Sequence, residues 1–216
     1  MKKPVIALAG NPNSGKTSIF NALTGSRQHV ANYPGITVEI KEGEAVFGDG
    51  SAEVVDLPGT YSLTPYSPDE VAARDFILEQ HPNVVIHVVD ASNLERNLYL
   101  TTQLMELGVP VIIALNMMDI AEDRGIRIDW KQLGRLLGVP IVRTVGNRAR
   151  GTDELLALAM ETAGERSSWI PIDISYGQVC DGFLDILEKR VREAGLLSGM
   201  VPPRWRPRWR NSSPAK

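Results

Sequence analysis

A run of eight residues near the amino terminus has the composition of a phosphate-binding loop. Residues 10–17 read GNPNSGKT, which fits the pattern glycine, four residues, glycine, lysine and serine or threonine between a predicted strand and a predicted helix. The glycines let successive backbone N–H groups turn toward a β-phosphate, and the following helix adds its positive end. Lys16 is expected to bridge the β- and γ-phosphates while the Thr17 hydroxyl ligates Mg²⁺. The expected phosphate-contacting residues are Gly10, Asn11, Pro12, Asn13, Ser14, Gly15, Lys16, Thr17 and Ser18.

Two later segments are typical of a nucleotide-dependent switch. Residues 56–59 read DLPG at the end of a predicted strand, where Asp56 can hold a magnesium-bound water and the Gly59 N–H can contact a γ-phosphate. Thr37, in YPGITVE, is placed to complete the magnesium coordination when that phosphate is present, and loss of the phosphate would release its loop. The binding residues expected here are Gly35, Ile36, Thr37, Asp56, Leu57, Pro58 and Gly59.

A third segment indicates that the base is guanine. Residues 116–119 read NMMD after the apolar strand VIIALN. The carboxylate of Asp119 is a pure acceptor, so it can take both the N1–H and the N2 amino donors of guanine, a donor pair that adenine lacks. Asn116 completes the motif, and Met117 stands where a lysine is usual and can lay an aliphatic chain on one face of the base. The sequence therefore predicts GTP and GDP as ligands.

The fifth element of such a site departs from the usual pattern. A serine-alanine turn normally offers a backbone N–H to guanine O6, whereas this chain reads TVGNRARG, with Val145, Gly146 and Asn147 at the matching place. A backbone contact is compatible with these residues. Because of this departure, the sequence does not predict the base selectivity or the rate of nucleotide release.

Strands and helices must position these motifs. In the sequence, short apolar runs alternate with segments of helical period, which predicts an α/β fold with a mostly parallel, six-stranded sheet and one antiparallel edge. GDGS at residues 48–51 predicts a hairpin between the second and third strands. The predicted strands cover residues 5–9, 38–47, 53–56, 84–90, 111–116 and 140–144. The predicted helices follow Gly15 and cover residues 67–80, 94–107, 130–137, 152–163 and 179–194.

Composition narrows the class of protein. The 23 basic and 26 acidic residues leave a formal charge of −3, which provides no broad field for a polyanion, so no nucleic acid partner is expected. A single cysteine, Cys180, excludes an intramolecular disulfide and fits a reducing compartment. No segment approaches the roughly 20 apolar residues needed to span a bilayer. The three histidines are scattered, which argues against a dedicated iron site.

GNPNSGKT, ANYPGITVE, DLPGTYSL and NMMD, in this order and spacing, resemble the G domain of the FeoB family of bacterial ferrous-iron transporters over about residues 4–165. The resemblance implies the P-loop GTPase fold for residues 1–165 and a short helical appendage over 166–201. It also implies a membrane-spanning iron-permease region in the same protein, small cytosolic Feo partner proteins, a place at the cytoplasmic face of the inner membrane, and possible homo-oligomers. PPRW at residues 202–205 still resembles the family, and residues 206–216 depart from it. The whole Arg-, Trp- and Pro-rich tail, residues 202–216, is expected to be poorly ordered.

The same resemblance implies a slow reaction. Thr60 follows DLPG where many small GTPases carry a glutamine that orients the attacking water, and threonine is too short for that task. Asn13 matches the asparagine that coordinates K⁺ in potassium-activated G proteins, with backbone carbonyls near Ala31 and Tyr33 completing the site. That cation would neutralise charge in the transition state. Asn13, Lys16, Thr37 and Gly59 are accordingly the expected catalytic residues, although Asn13 can equally serve only to shape the loop.

Two other functions fit part of the pattern. A soluble ribosome- or tRNA-associated GTPase shares this type of P-loop, but such proteins usually carry an RNA-binding module that the sequence lacks. A nucleotide-binding switch without useful hydrolysis is favoured by Thr60 and by the altered fifth element. Phosphate release in potassium and in sodium separates the second possibility from a potassium-activated GTPase.

Overall fold

The computed structural model of the chain describes residues 3–25, 28–32, 38–164 and 176–195. At its centre lies a mixed seven-stranded sheet with the order β2-β3-β4-β1-β5-β6-β7. Both pairings that involve β3 are antiparallel and the other four pairings are parallel. The strands are β1 (Val5–Gly10), β2 (Gln28–Asn32), β3 (Glu39–Phe47), β4 (Gly50–Asp56), β5 (Val84–Asp90), β6 (Val111–Asn116) and β7 (Ile141–Arg143).

Helices cover both faces of the sheet. The α-helices are α1 (Lys16–Thr24), α2 (Pro68–Asp75), α3 (Leu94–Glu106), α4 (Met118–Asp123), α5 (Trp130–Leu137), α6 (Thr152–Gly164) and α7 (Gln178–Glu193). Side chains of α2 to α5 enter one hydrophobic core, and side chains of α1 and α6 enter the other. The central strands β1, β5 and β6 are buried along nearly their whole length, as expected for strands that are covered on both faces. This α/β architecture is the one predicted from the sequence.

The parallel strands β1, β4, β5, β6 and β7 all end at the same edge of the sheet. Gly10 is the last residue of β1, Asp56 of β4 and Asn116 of β6, so three predicted motifs begin or end on this edge. Ligands of open α/β sheets bind outside the carboxyl ends of the strands. The fold therefore brings the phosphate, magnesium and base elements to one side of the molecule.

The sheet has one strand more than the six that were predicted. β2 contains QHVAN, which has neither an apolar run nor an alternating pattern, and it pairs with β3 at the outer edge of the sheet. Its place is set by backbone hydrogen bonds to β3, a tertiary contact that local sequence does not encode. The six-residue helix α4, which begins inside the base motif, was also not predicted, and the helix predicted at 67–80 divides into α2 and a π-helix, Phe76–Gln80.

Some predictions fall outside the described residues. These predictions concern Tyr33, Gly35, Ile36, Thr37 and residues 202–216. Their predicted roles stay predictions, and so do the domain boundaries. None of the helices in the described part of the chain combines the length and apolar character that a membrane crossing requires.

Candidate nucleotide site

The loop between β1 and α1 is shaped by left-handed backbone conformations. Asn13 has φ 65° and Gly15 has φ 84°, and the N–H of Ser14 donates to the carbonyl of Asn11 at 3.1 Å. Alternating backbone conformations of this kind turn successive N–H groups into a concave anion site. α1 begins at Lys16, directly after the loop, so the positive end of its dipole faces the same concavity.

Two glycines of the loop are required by close packing. A Cβ atom on Gly10 would lie 2.7 Å from the carbonyl oxygen of Val88, and one on Gly15 would lie 2.2 Å from the side-chain nitrogen of Asn116. Gly59 makes a similar close approach, because a Cβ atom there would lie 3.3 Å from the Cα atom of Pro12. DLPG and the phosphate loop are thus in direct contact. No larger residue fits at these three positions without movement of the backbone or of Asn116.

The predicted phosphate and magnesium side chains meet. The ammonium group of Lys16 contacts the Oδ1 atom of Asp56, and the hydroxyl of Thr17 donates to its Oδ2 atom at 3.3 Å. Lys16 and Asp56 are 8% and 6% exposed, so their charges pair at a site with little access to water. The chain therefore places a cation, a hydroxyl and a carboxylate within reach of one small volume at the carboxyl end of β4.

Buried polar groups without a partner accompany this cluster. Among the described residues, the hydroxyl of Ser14 and both polar atoms of the Asn11 amide find no hydrogen-bond partner, although the two residues are 2% and 3% exposed. An unsatisfied buried polar group costs about 1–3 kcal/mol, so it fits a site that receives a polar ligand. Asn13 and Thr17 are exposed at the outer rim of the loop.

Asn116 connects the phosphate loop to the predicted fifth element. Its amide nitrogen donates to the carbonyl of Ser14 at 2.9 Å, and its amide oxygen accepts from the Thr144 hydroxyl at 3.3 Å and from the Gly146 N–H at 2.9 Å. Asn116 is 2% exposed. This side chain therefore fixes the spacing between two loops that the sequence separates by some 130 residues. Sequence reasoning assigned no role to Thr144, although it stands directly before VGN.

Asp119 and the residues around it form the side of the site where a base is expected. Met117 has φ 59° and ends the strand, after which Asp119 lies in the first turn of α4. One carboxylate oxygen of Asp119 accepts from the N–H of Ile120 at 3.0 Å, which holds the side chain in place. Asp119 and Val145 also line a cavity of about 390 Å³. The Gly146 N–H is already donated to Asn116, so a contact with guanine O6 must share that group or use the next one.

The cavity beside Asp119 was not predicted. Its wall includes Trp130, with the guanidinium of Arg143 lying 5.3 Å from the ring centroid. Three arginines and three carboxylates line it, so its charges balance and do not select an anion. The charged residues that line the cavity are Asp119, Glu122, Arg143, Arg148, Arg150 and Glu154.

The segment after DLPG is fixed by several hydrogen bonds. The N–H of Thr60 donates to the carbonyl of Gly10 at 3.1 Å, and the N–H of Ser62 donates to the Thr60 hydroxyl at 3.2 Å. The same hydroxyl contacts the carbonyl oxygen of Ser62, and Thr60 is 4% exposed. Thr60 therefore uses its side chain to shape the turn and has no group directed toward solvent.

Comparison with known proteins identifies the relatives of this site. The family model described as ferrous iron transport protein B matches residues 4–159. The Fe(2+) transporter FeoB of Salmonella typhimurium is 56% identical over 165 residues, which are 74% of this chain and 21% of that protein. A fusion of Fe(2+) transport protein A with Fe(2+) transporter FeoB from Porphyromonas gingivalis is 46% identical over 202 residues, 93% of this chain and 24% of that protein. The chain thus spans less than a quarter of these relatives.

A solved structure is similar along nearly the whole chain. It is the cytosolic domain of the T. maritima FeoB iron transporter in its GMPPNP form, with a TM-score of 0.79 and 39% sequence identity. The similarity covers 95% of this chain and 78% of that one. The described fold agrees with this comparison.

Proposed function

Because the chain belongs to the family of ferrous iron transport protein B and has its G-domain GTPase fold, we propose that it binds GTP, hydrolyses it slowly, and regulates a bacterial ferrous-iron transporter. The observation that carries this proposal is the convergence of Lys16, Thr17 and Asp56 beside a loop whose spacing is fixed by Asn116. In this arrangement the loop amides and Lys16 bind the phosphates. Asp119 reads the base, and Gly59 follows the γ-phosphate.

The same residues suit Mg²⁺. The Thr17 hydroxyl and the Asp56 carboxylate are hard oxygen donors that lie 3.3 Å apart, and Mg²⁺ prefers such ligands together with water and phosphate oxygens. We propose that Thr17 ligates the ion directly and that Asp56 holds one of its waters, with Thr37 as a further ligand. Bound there, the ion would neutralise charge on the transferred phosphoryl group.

Slow hydrolysis follows from Thr60. Its hydroxyl is buried and bonded within its own turn, so it cannot orient an attacking water as a glutamine would. We propose that K⁺ at Asn13 supplies part of the missing charge stabilisation, since this exposed side chain lies on the rim of the phosphate loop. Phosphate release should be faster in potassium than in sodium, and Asn13→Ala should abolish the difference. Equal rates in the two salts would refute the role of K⁺.

The transport role rests on family membership. We propose that this domain is joined in one protein to a membrane-spanning iron-permease region and lies at the cytoplasmic face of the inner membrane. The P. gingivalis relative, a fusion with Fe(2+) transport protein A, supports a small Feo protein as a partner. Cells that carry Lys16→Ala in this gene should lose nucleotide-dependent uptake of ferrous iron. Lys3→Ala, which removes only an exposed ion pair to Glu44, should leave uptake unchanged.

The guanine assignment is tested by changing the chemistry of one side chain. Asparagine at position 119 offers one acceptor and one donor in place of two acceptors, so Asp119→Asn no longer matches the two donors of guanine. It matches xanthine, which keeps N1–H and has a carbonyl at C2. We expect calorimetry to show a loss of GDP affinity of about 100-fold, with tighter binding of XDP than in the wild type.

A neighbouring carboxylate provides the control. Asp123 is exposed at the end of the same helix, so Asp123→Asn changes the same charge without touching the base site. It should bind GDP like the wild type. Tight binding of ATP by the wild-type protein, or an Asp119→Asn variant with unchanged preference for GDP, would overturn the assignment.

A further inference from the structure

The segment that follows DLPG is attached to α3 by two side chains that no motif includes. The N–H of Leu63 donates to the Oε1 atom of Gln103 at 2.8 Å, and the guanidinium of Arg96 lies 4.0 Å from the ring centroid of Tyr61. Gln103 and Arg96 are seven residues apart, which is about two helical turns, so they lie on the same face of α3. That face therefore supports the segment from Thr60 to Leu63 at two points.

The attachment acts directly beside the proposed site. Thr60, three residues before Leu63, donates its N–H to the carbonyl of Gly10 in the phosphate loop. Leu63 is 7% exposed, so its N–H has little access to water as an alternative acceptor. Loss of the Gln103 acceptor would leave this donor unsatisfied and favour movement of the whole turn. The amide oxygen of Gln103 thus acts together with the Gly10 carbonyl in setting the position of Gly59 and Thr60.

We propose that Gln103 is a positioning residue for GTP hydrolysis, because its Oε1 atom holds the segment after DLPG against α3, with Arg96 as a secondary support. This inference rests on the proposed GTPase function. Gln103 lies on α3, outside the motifs that are proposed to bind phosphate and metal, so it acts on the transition state through the segment that it holds. Nucleotide binding depends on other groups and should be nearly independent of it.

A pair of substitutions separates the acceptor from the rest of the side chain. Gln103→Met keeps the length of the side chain and removes the oxygen, whereas Gln103→Glu keeps an oxygen acceptor at the same position. We expect Gln103→Met to lower kcat about tenfold, with KM and GDP affinity within about twofold of the wild type. Gln103→Glu should restore most of the rate. Thr102→Ala, which removes an exposed hydroxyl that bonds only to the carbonyl of Tyr99, is the control on the same helix.

Hydrogen exchange measures the attachment without any activity. The Leu63 amide should exchange about tenfold faster in Gln103→Met than in the wild type, and Gln103→Glu should protect it. Arg96→Ala should lower kcat by about two- to fivefold, the size expected for an exposed cation–π contact. Arg96→Lys should recover part of that loss.

Different results would overturn the role of Gln103 and the proposed GTPase function. A Gln103→Met variant with a wild-type rate, or a Gln103→Glu variant as slow as Gln103→Met, would overturn the role of Gln103. If the wild type hydrolysed no GTP, the proposed function would fail. The exchange rate of the Leu63 amide would then alone decide for or against Gln103 as the residue that holds this segment.

Discussion

The phosphate loop and helix α3 both support the proposed site, but they do so by different means. The loop is fixed by close packing of its backbone, since Gly10 and Gly15 leave no room for a Cβ atom, and by a hydrogen bond from Asn116 of the base motif. α3 holds its neighbours through single side-chain contacts. Thr101 bonds to His87, Gln103 bonds to Leu63, and Glu106 bonds to Tyr176.

This difference separates parts that must stay fixed from parts that can move. Displacing the phosphate loop requires several buried contacts to break together, because backbone and side chain are packed as one unit. Breaking one of these side-chain hydrogen bonds costs about 0.5–1.5 kcal/mol, which is within the range that a bound ligand can supply. A rigid phosphate site beside adjustable segments is the arrangement that a nucleotide-dependent switch requires.

The largest expected effect comes from breaking the rigid part. Gly15→Ala places a Cβ atom 2.2 Å from the Asn116 amide in a backbone conformation with φ 84°, so Asn116 must move and lose its bonds to both loops. We expect a loss of about 3 kcal/mol in the free energy of unfolding, from backbone strain and broken buried hydrogen bonds. Nucleotide binding should fall below detection by calorimetry.

Gly125→Ala is the matched control for this prediction. Gly125 has a similar φ of 74°, but a Cβ atom there meets nothing within 4 Å. The substitution should cost about 1 kcal/mol from backbone strain alone and leave GDP affinity unchanged. Equal loss of nucleotide binding in the two variants would show that strain, and not the contact with Asn116, is the cause.

The second effect concerns the most buried contact of α3. His87 is fully buried in β5, its Nδ1 atom lies 2.8 Å from the Thr101 hydroxyl, and burial lowers its pKa from 6.5 to about 3. Between these two pH values the unfolded chain binds a proton that the folded chain does not. The contribution of His87 to the free energy of unfolding is therefore constant above pH 6.5. It falls as the pH decreases toward 3, and the loss at pH 5 is about 2 kcal/mol.

His87→Gln should remove this part of the pH dependence while an amide remains to pair with Thr101. Urea unfolding gives the free energy of unfolding at pH 7.5 and at pH 5. The difference between these two free energies should be about 2 kcal/mol smaller than in the wild type. An unchanged difference in His87→Gln would mean that the buried imidazole is protonated in the folded state.

The sequence predicts the rigid part of the molecule better than the adjustable part. GNPNSGKT, DLPG and NMMD are motifs with a fixed spacing, so they also locate Lys16, Asp56 and Asp119 near the carboxyl ends of strands. Six of the seven strands follow from apolar runs. β2 does not, because its polar residues are placed by pairing with β3.

The contacts of α3 could not be read from the sequence. Gln103 and Leu63 are 40 residues apart, and neither belongs to a motif with a fixed spacing. The bond between Asn116 and Gly146 could not be read from the sequence either, although Asn116 belongs to the base motif, and it explains why the altered fifth element still closes on the phosphate loop. Such pairs depend on how helices and loops pack on the sheet, so they appear only when the fold is known.

The smallest effect is expected at the most exposed contact of α3. The hydroxyl of Tyr176 donates to Glu106 at 2.6 Å, and this bond, with lesser contributions from burial and from nearby carboxylates, raises the pKa of Tyr176 to about 12. Glu106→Gln keeps an acceptor and removes the charge, so the pKa of Tyr176 should fall toward 10 in an NMR titration. Glu95→Gln, an exposed change at the other end of the helix, should not alter it.

The corresponding change in stability should be small, present at neutral pH and lost at high pH. A tyrosine with a raised pKa in the folded state contributes stability that is present below pH 10 and is lost as pH rises toward 12. Tyr176 is 47% exposed, so solvent screens the interaction and the loss in Glu106→Gln at neutral pH should stay below about 1 kcal/mol. A larger loss would mean that the bond between Tyr176 and Glu106 stabilises neighbouring residues as well. Glu106 would then belong to the rigid part of the molecule.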